Sequence, residues 1–198
     1  NVGIVAERFL AGDGSLKEEK YDHIDLKDKP PQYLNSTSYG SWWRPAAYNA
    51  YLCHKKMCQQ ALEDGVETLL LLEDDIVVEP DFTSILGAFS QQLGASPWDM
   101  IYLGSYNNMF TFTRQTENVL RVRECAGFHG VILKKSIIER LSQTVPVGPM
   151  DWQAGKLHYE FNCYAVYPGI LNQDSGFSFV EEGHLTKPSR YLFGEQNE

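Results

Sequence analysis

Three carboxylates stand side by side at Glu73, Asp74 and Asp75, directly after the leucine run Leu69–Leu72 and directly before Ile76-Val77-Val78. Adjacent negative charges at the end of an apolar segment repel one another and resist desolvation, so a cation is expected to neutralise them. Oxygen-only ligands favour a hard divalent ion, Mg2+ or Mn2+, which keeps open positions for substrate phosphates. The competing reading is a solvated turn after a core strand. The apolar residues that resume at Ile76 hold the acids half-buried and favour a site.

Two further residues belong to the same chemistry. Asp151, in Gly148-Pro149-Met150-Asp151-Trp152, either caps a short helix running to about His158 or faces the metal site as a general base whose pKa is raised towards neutrality. His54 is either a core histidine satisfied by a carbonyl or carboxylate, or it orients one of the acids or touches the ligand. Asp75 and Asp151 could also be the acid pair of a glycoside hydrolase, but that chemistry wants two isolated carboxylates and no metal. The clustered triplet argues against it.

The elements that must position these residues read as an α/β domain. The apolar run around residues 69–78, bounded by Gly65 and Pro80, reads as a strand buried on both faces, as in a parallel sheet. Its carboxyl end, where open α/β sheets bind ligands, carries the acids. Before it, a helix starts at Pro45 and ends before Gly65, with Ala47, Ala50, Tyr51, His54, Met57, Cys58, Ala61 and Leu62 on one face. After it, Phe82, Ile85, Leu86, Phe89 and Leu93 form a second helix. Met100–Leu103, ending at Gly104, is then a parallel strand beside the first, in a right-handed crossover unit. Its following loop, Ser105-Tyr106-Asn107-Asn108, opens on the edge that carries the acids.

Phe110–Thr113 and Val119–Val122 alternate around 115–118 as a hairpin. The glycine-interrupted strand 126–133 implies close backbone approach. Ser136-Ile137-Ile138-Glu139 has a capping-box pattern that starts a third helix, and Cys163–Tyr167 is a last strand. The segment from Gln173 through His184, Lys187 and Arg190 is polar and locally basic, suited to folding over a diphosphate. Residues 1–44 hold a short element near Val2–Leu10 and then mostly loop.

The 198 residues, 43% hydrophobic and 22% charged, suffice for one globular domain over 1–198. A net charge of -9 disfavours nucleic acid and anionic membrane as main partners. Cys53, Cys58, Cys125 and Cys163 show neither zinc nor redox spacing and read as buried thiols, mildly favouring a reducing compartment. The sequence has no transmembrane segment and no signal peptide, and a cytoplasmic location is expected.

Several segments, in order, resemble glycosyltransferase family 25, the group containing lipopolysaccharide and procollagen galactosyltransferases. They are Arg8-Phe9-Leu10-Ala11-Gly12-Asp13-Gly14, Trp43-Arg44-Pro45-Ala46-Ala47-Tyr48 with Cys53-His54, Leu72-Glu73-Asp74-Asp75-Ile76 with Pro80-Asp81-Phe82, Trp98–Gly104, and Gln173–Ser178. The resemblance implies a GT-A (Rossmann-like) fold, a mostly parallel sheet flanked by helices with a small antiparallel hairpin. It also implies a divalent metal, a nucleotide-sugar donor, such as a UDP-sugar, and inverting transfer to a hydroxyl of a glycan or other acceptor. Under it Asp75, with Glu73 and the late histidine His184, holds the metal. Glu73, Asp74, Gly104, His54 and Gln173 line the donor, and Asp151 is the catalytic base. Family members carry an additional first strand of Val-Ile-Asn-Leu character that does not precede Asn1, so the expectation is either a truncated chain or an altered nucleotide site. Phe179-Val180-Glu181-Glu182 also departs from the family's closing loop. A catalytically silent sugar- or nucleotide-binding relative of the same fold is the alternative.

Overall fold

The computed structural model describes residues 45–145, 149–174, 177–178 and 183–184. Pro45 presets the first turn of helix α1, Pro45–Glu63, where its missing N–H has no partner to lose. Gly65, at φ +70°, ends it, and the Val66 N–H closes back on the Ala61 carbonyl at 2.8 Å, as in a Schellman stop. Strand β1 (Thr68–Leu72), strand β2 (Ile76–Val78), helix α2 (Phe82–Leu93) and the long hairpin of β3 (Met100–Arg114) and β4 (Val119–Lys134) follow. Helix α3 (Lys135–Ser142), helix α4 (Met150–Gly155), a 3-10 turn over Lys156–Tyr159, and strands β5 (Cys163–Val166), β6 (Leu171–Gln173), β7 (Phe177–Ser178) and β8 (Gly183–His184) complete the described elements.

The main sheet has the order β1-β4-β3-β5. Strands β1, β3 and β5 run the same way, but β4 lies reversed between β1 and β3. The expected side-by-side parallel pair of β1 and β3 therefore gives way to a mixed sheet in which only β3–β5 is parallel. The reason is local: β3 and β4 are joined by a short turn at 115–118, and a hairpin partner forms with less chain to close than a crossover. The segment 105–108, expected as a loop, stays within β3. The β3–β4 register shifts between Tyr102 and Thr111, and such irregularities bend a ribbon. Val119–Arg121 thereby pairs with Tyr164–Val166 of β5, covering a sheet edge that would otherwise be open.

Strand β1 lies at the other edge, and Leu70 keeps 37% of its surface exposed. The leucine run is therefore not buried on both faces. Alternation along β3 divides the core. Tyr102 packs with Leu71, Val131 and Leu133 against α1, α3 and α4, through Tyr51, Cys58, Ile137, Leu141 and Met150. Ile101 and Leu103 pack on the opposite face with Phe82, Phe89 and Leu93 of α2. Cys58, Cys125 and Cys163 are buried and Cys53 half-buried, all four as free thiols. Ser136 does not cap α3, whose preceding residue is Lys134. Its hydroxyl donates instead to Asp99 Oδ1 at 3.1 Å, while Asp99 Oδ2 accepts the Asn162 N–H at 2.9 Å.

Two glycines bring β6 onto this sheet. A Cβ on Gly104 would run into the backbone carbonyl of Leu171, and one on Gly130 into the Leu171 side chain. Backbone cannot yield as a side-chain tip can. Gly104→Ala is therefore expected to lower the unfolding free energy by about 1–3 kcal/mol, read as a drop in the urea midpoint with an unchanged slope. An unchanged midpoint would show that β6 can retreat freely from β3.

Candidate functional site

The acids sit where one sheet hands the chain to another. The Glu73 N–H still donates to the His129 carbonyl, at 3.2 Å, extending the β1–β4 ladder by one residue. Asp74 and Asp75 then turn the chain into β2, which pairs antiparallel with β6 through Ile76↔Gln173 and Val78↔Leu171. The Asp174 N–H donates to the Asp75 carbonyl at 2.7 Å. This register brings Gln173 over the turn. Its Nε2 donates to both Glu73 Oε2 (3.1 Å) and Asp75 Oδ2 (3.2 Å).

Two histidines reach Glu73 from below. His129, fully buried on β4, has Nδ1 3.6 Å from Glu73 Oε2, and His54 on α1 has Nε2 3.8 Å from Glu73 Oε1. The His54 ring meets Phe128 edge-on, with centroids 5.5 Å apart. Burial would raise the Glu73 pKa, but His129, His54 and Gln173 together outweigh it and hold the carboxyl below its ordinary value. Burial lowers the pKa of His54 against the pull of Glu73 and Asp151. Asp75 moves the other way: burial first, and then the charge of Glu73, push its pKa up. Asp74 and Asp75 are both exposed at the turn, where the resuming apolar residues were expected to hold them half-buried, and Glu73 alone of the three is partly buried.

Asp151 lies in the first turn of α4, with Pro149 rather than Asp151 preceding the helix. Its Oδ2 accepts the Gly127 N–H at 2.7 Å and its Oδ1 the Trp152 N–H at 2.9 Å. Gly127 has φ +95°, a conformation that side chains disfavour, and that backbone setting accompanies the donation to the carboxylate. Burial raises the Asp151 pKa and the charge of Glu73 adds to it, against the two N–H bonds. The carboxylate is thus held in one orientation and made more basic.

The fold therefore brings Glu73, Asp75, His54 and Gln173 together, with Asp151 close enough to feel Glu73. Gly104 lies in β3 with Leu171 against it, which gives it a packing role. His184 lies in β8 opposite Phe177, and its side chain is outside the described residues, as are Lys187 and Arg190. His129 and the Gly127 N–H were not singled out from sequence as site groups. The glycine-interrupted segment 126–133 was the available signal.

Among the described residues no three His, Cys, Asp or Glu side chains converge as a metal-ligating group. The donor set still suits a hard cation. Two carboxylates share one amide, the Asp75 pKa is raised by burial and by Glu73, and Gln173 Oε1 is buried without a hydrogen-bond partner. Turning that amide over would present its oxygen beside both acids, and an amide's O and N are not distinguished by shape.

The family model for glycosyltransferase family 25 (LPS biosynthesis protein) matches residues 15–152, which include the acidic turn, β3, β4 and Asp151. The chain belongs to glycosyltransferase family 25. The description of that family is one of glycosyltransferases of LPS biosynthesis. No curated protein gives a significant match. Among solved structures, the crystal structure of A197 from STIV is similar at 18% identity with a TM-score of 0.41, over 63% of this chain and 66% of that one. That likeness is too distant to carry an argument. Among the described residues of this family 25 chain, no helix is long and apolar enough to cross a membrane.

Proposed function

We propose that this family 25 protein is a GT-A-type transferase that moves a sugar from a nucleotide-sugar donor to a hydroxyl of a glycan or similar acceptor, with inversion. The observation that carries this reading is the opposition of two carboxylate environments. The Glu73 carboxyl is held below its ordinary pKa beside Asp75 and Gln173 at the sheet edge, while Asp151, within reach of the Glu73 charge, is made more basic and fixed by two backbone N–H groups. One is suited to meet a cation and the other to take a proton.

Asp75 and Glu73, with Gln173 Oε1, are the described groups that would hold Mn2+ or Mg2+, and His184 is a further proposed ligand. When bound, such an ion offsets the negative charge of the donor's diphosphate. The rest is the work of the chain. His54 and buried His129 fix the orientation of Glu73. Asp151 takes the proton of the acceptor hydroxyl as its oxygen bonds to the anomeric carbon. The bond from that carbon to the diphosphate breaks, and the nucleoside diphosphate leaves with the electron pair. Asp74 at the exposed turn lies on the donor's side.

A glycoside hydrolase built on Asp75 and Asp151 does not agree with family 25 membership or with Asp75 sharing an amide with Glu73. A silent sugar-binding relative stays as the second reading, favoured by the lack of three converging ligands among the described residues. Incubation with UDP-galactose or UDP-glucose and Mn2+ separates the two. The transferase should release UDP slowly with water as acceptor, and chelation should stop it. A protein that binds neither donor and releases no UDP would sink the transferase reading.

A further inference from the structure

The residue that follows Asp151 lines a hollow of its own. A depression of about 440 Å³ lies between β4 and α4, lined by Glu124, Cys125, Ala126, Trp152, Gly155, Lys156 and Tyr159. Small-molecule sites span roughly 300–1,000 Å³. Ala126 and Trp152 adjoin the two residues, Gly127 and Asp151, that the 2.7 Å bond joins. The depression thus begins one residue from the proposed base on both of its walls. The Asp151 charge also contributes to the raised pKa of the Cys125 thiol, behind burial, consistent with a carboxylate at its margin.

We propose that this depression is the acceptor subsite, shaped for a pyranose ring of a glycan; the assignment rests on the transferase reading above. Its lining combines what sugar recognition needs. Trp152 and Tyr159 supply aromatic surface for the apolar C–H face of a ring, and both pair an apolar body with a polar tip. Glu124 supplies fixed acceptors. Its Oε1 takes the Tyr159 hydroxyl at 3.0 Å and its Oε2 the Thr111 hydroxyl at 3.0 Å. An ionised carboxylate offers about four lone-pair positions, so each oxygen keeps capacity for a hydroxyl of the ligand, in a geometry already set by two neighbours. Lys156, exposed at the rim, supplies donors. A carboxylate and an ammonium on one lining suit a ligand whose groups both donate and accept, which hydroxyls do. A purely anionic acceptor would meet Glu124 and a chain of net charge -9. The position also fits the reaction, because a base that takes a proton from the acceptor must lie between it and the donor. Asp151 feels the charge of Glu73, and its chain neighbour Trp152 lines this depression.

The test uses the intact chain with methyl β-galactoside and methyl β-glucoside as probes. Each is titrated while the indole N–H resonance of Trp152 is followed, that resonance being identified by its loss in Trp152→Phe. A saturable shift with at least one probe is expected, weakened roughly tenfold in Glu124→Gln, the loss expected for one charge-assisted hydrogen bond. Tyr159→Ala should weaken it as well. No shift with either probe, or equal affinity in both variants with native circular dichroism, overturns the assignment. Sugar binding needs neither donor nor cation, so the two readings fail separately. Saturable binding without any transfer sinks the transferase and leaves a sugar site, whereas transfer whose acceptor KM is unchanged in both variants sinks the subsite alone.

Discussion

Asp75→Asn is expected to abolish cation-dependent binding of a nucleoside diphosphate while leaving the fold intact. The substitution keeps the shape of the side chain and an oxygen for Gln173 Nε2, now 3.2 Å from Asp75 Oδ2. It removes one of the two charges that would face the ion. Losing a charged ligand of this kind weakens binding by about a hundredfold, or roughly 3 kcal/mol. Titration calorimetry with UDP in the presence of Mn2+ reads this directly, with a chelated sample as the baseline.

The stability side of the same variant has a definite sign. Asp75 has a raised pKa in the fold, from burial and from Glu73, so the folded chain holds this proton more readily than the unfolded one. Its favourable contribution is present below the unfolded carboxylate pKa and is lost as pH rises through the folded value. At pH 7 the ionised Asp75 opposes Glu73, and removing its charge should leave the melting temperature unchanged or slightly higher. The side chain is exposed enough for water to screen most of that gain. Unchanged UDP affinity in Asp75→Asn would remove the acidic turn from donor binding. A lower melting temperature would mean that Asp75 serves the β2–β6 junction instead.

Much of this arrangement could be read from local chemistry. Pro45 and Gly65 bracket α1 because one presets its first turn and the other adopts the positive φ that ends it. The apolar period of α2 and the turn at 115–118 are equally local. Strand neighbours are not local. Four leucines in a row look the same in a central strand and in β1, an edge strand whose Leu70 faces outward. The capping-box pattern at Ser136 lost to a tertiary partner, Asp99, that no spacing rule could supply. The same division runs through the site. Glu73, Asp75, Asp151 and His54 carry charges or ring nitrogens that announce possible chemistry. What makes them a unit is pairing over long separations: β2 with β6, which delivers Gln173, and β4 beside β1, which delivers His129 and the Gly127 N–H. A histidine inside a strand reads as core, and a backbone N–H has no signature beyond the glycine that frees it.

Asp151→Asn should keep donor binding and lose transfer, with the rate falling by about 10²–10⁴-fold, the usual contribution of a positioned general base. The structural effect must be separated from the chemical one. Asp151 presents two oxygens to two backbone N–H groups, and an amide offers only one. One of the bonds from Gly127 and Trp152 is therefore lost, and a buried donor left unsatisfied costs about 1–3 kcal/mol. A modest drop in melting temperature with unchanged UDP affinity is the expected background for the loss of turnover. The pH profile discriminates further. The base works only when ionised, and burial and Glu73 raise its pKa from the ordinary aspartate value. Wild-type kcat/KM for the acceptor should thus rise with pH through that raised value, and the residual rate of Asp151→Asn should lack this limb. Asp151→Glu restores the charge one methylene out of place and should recover part of both the rate and the limb. Full turnover in Asp151→Asn would reduce Asp151 to a tie between α4 and β4, and the proton would have to leave by another group.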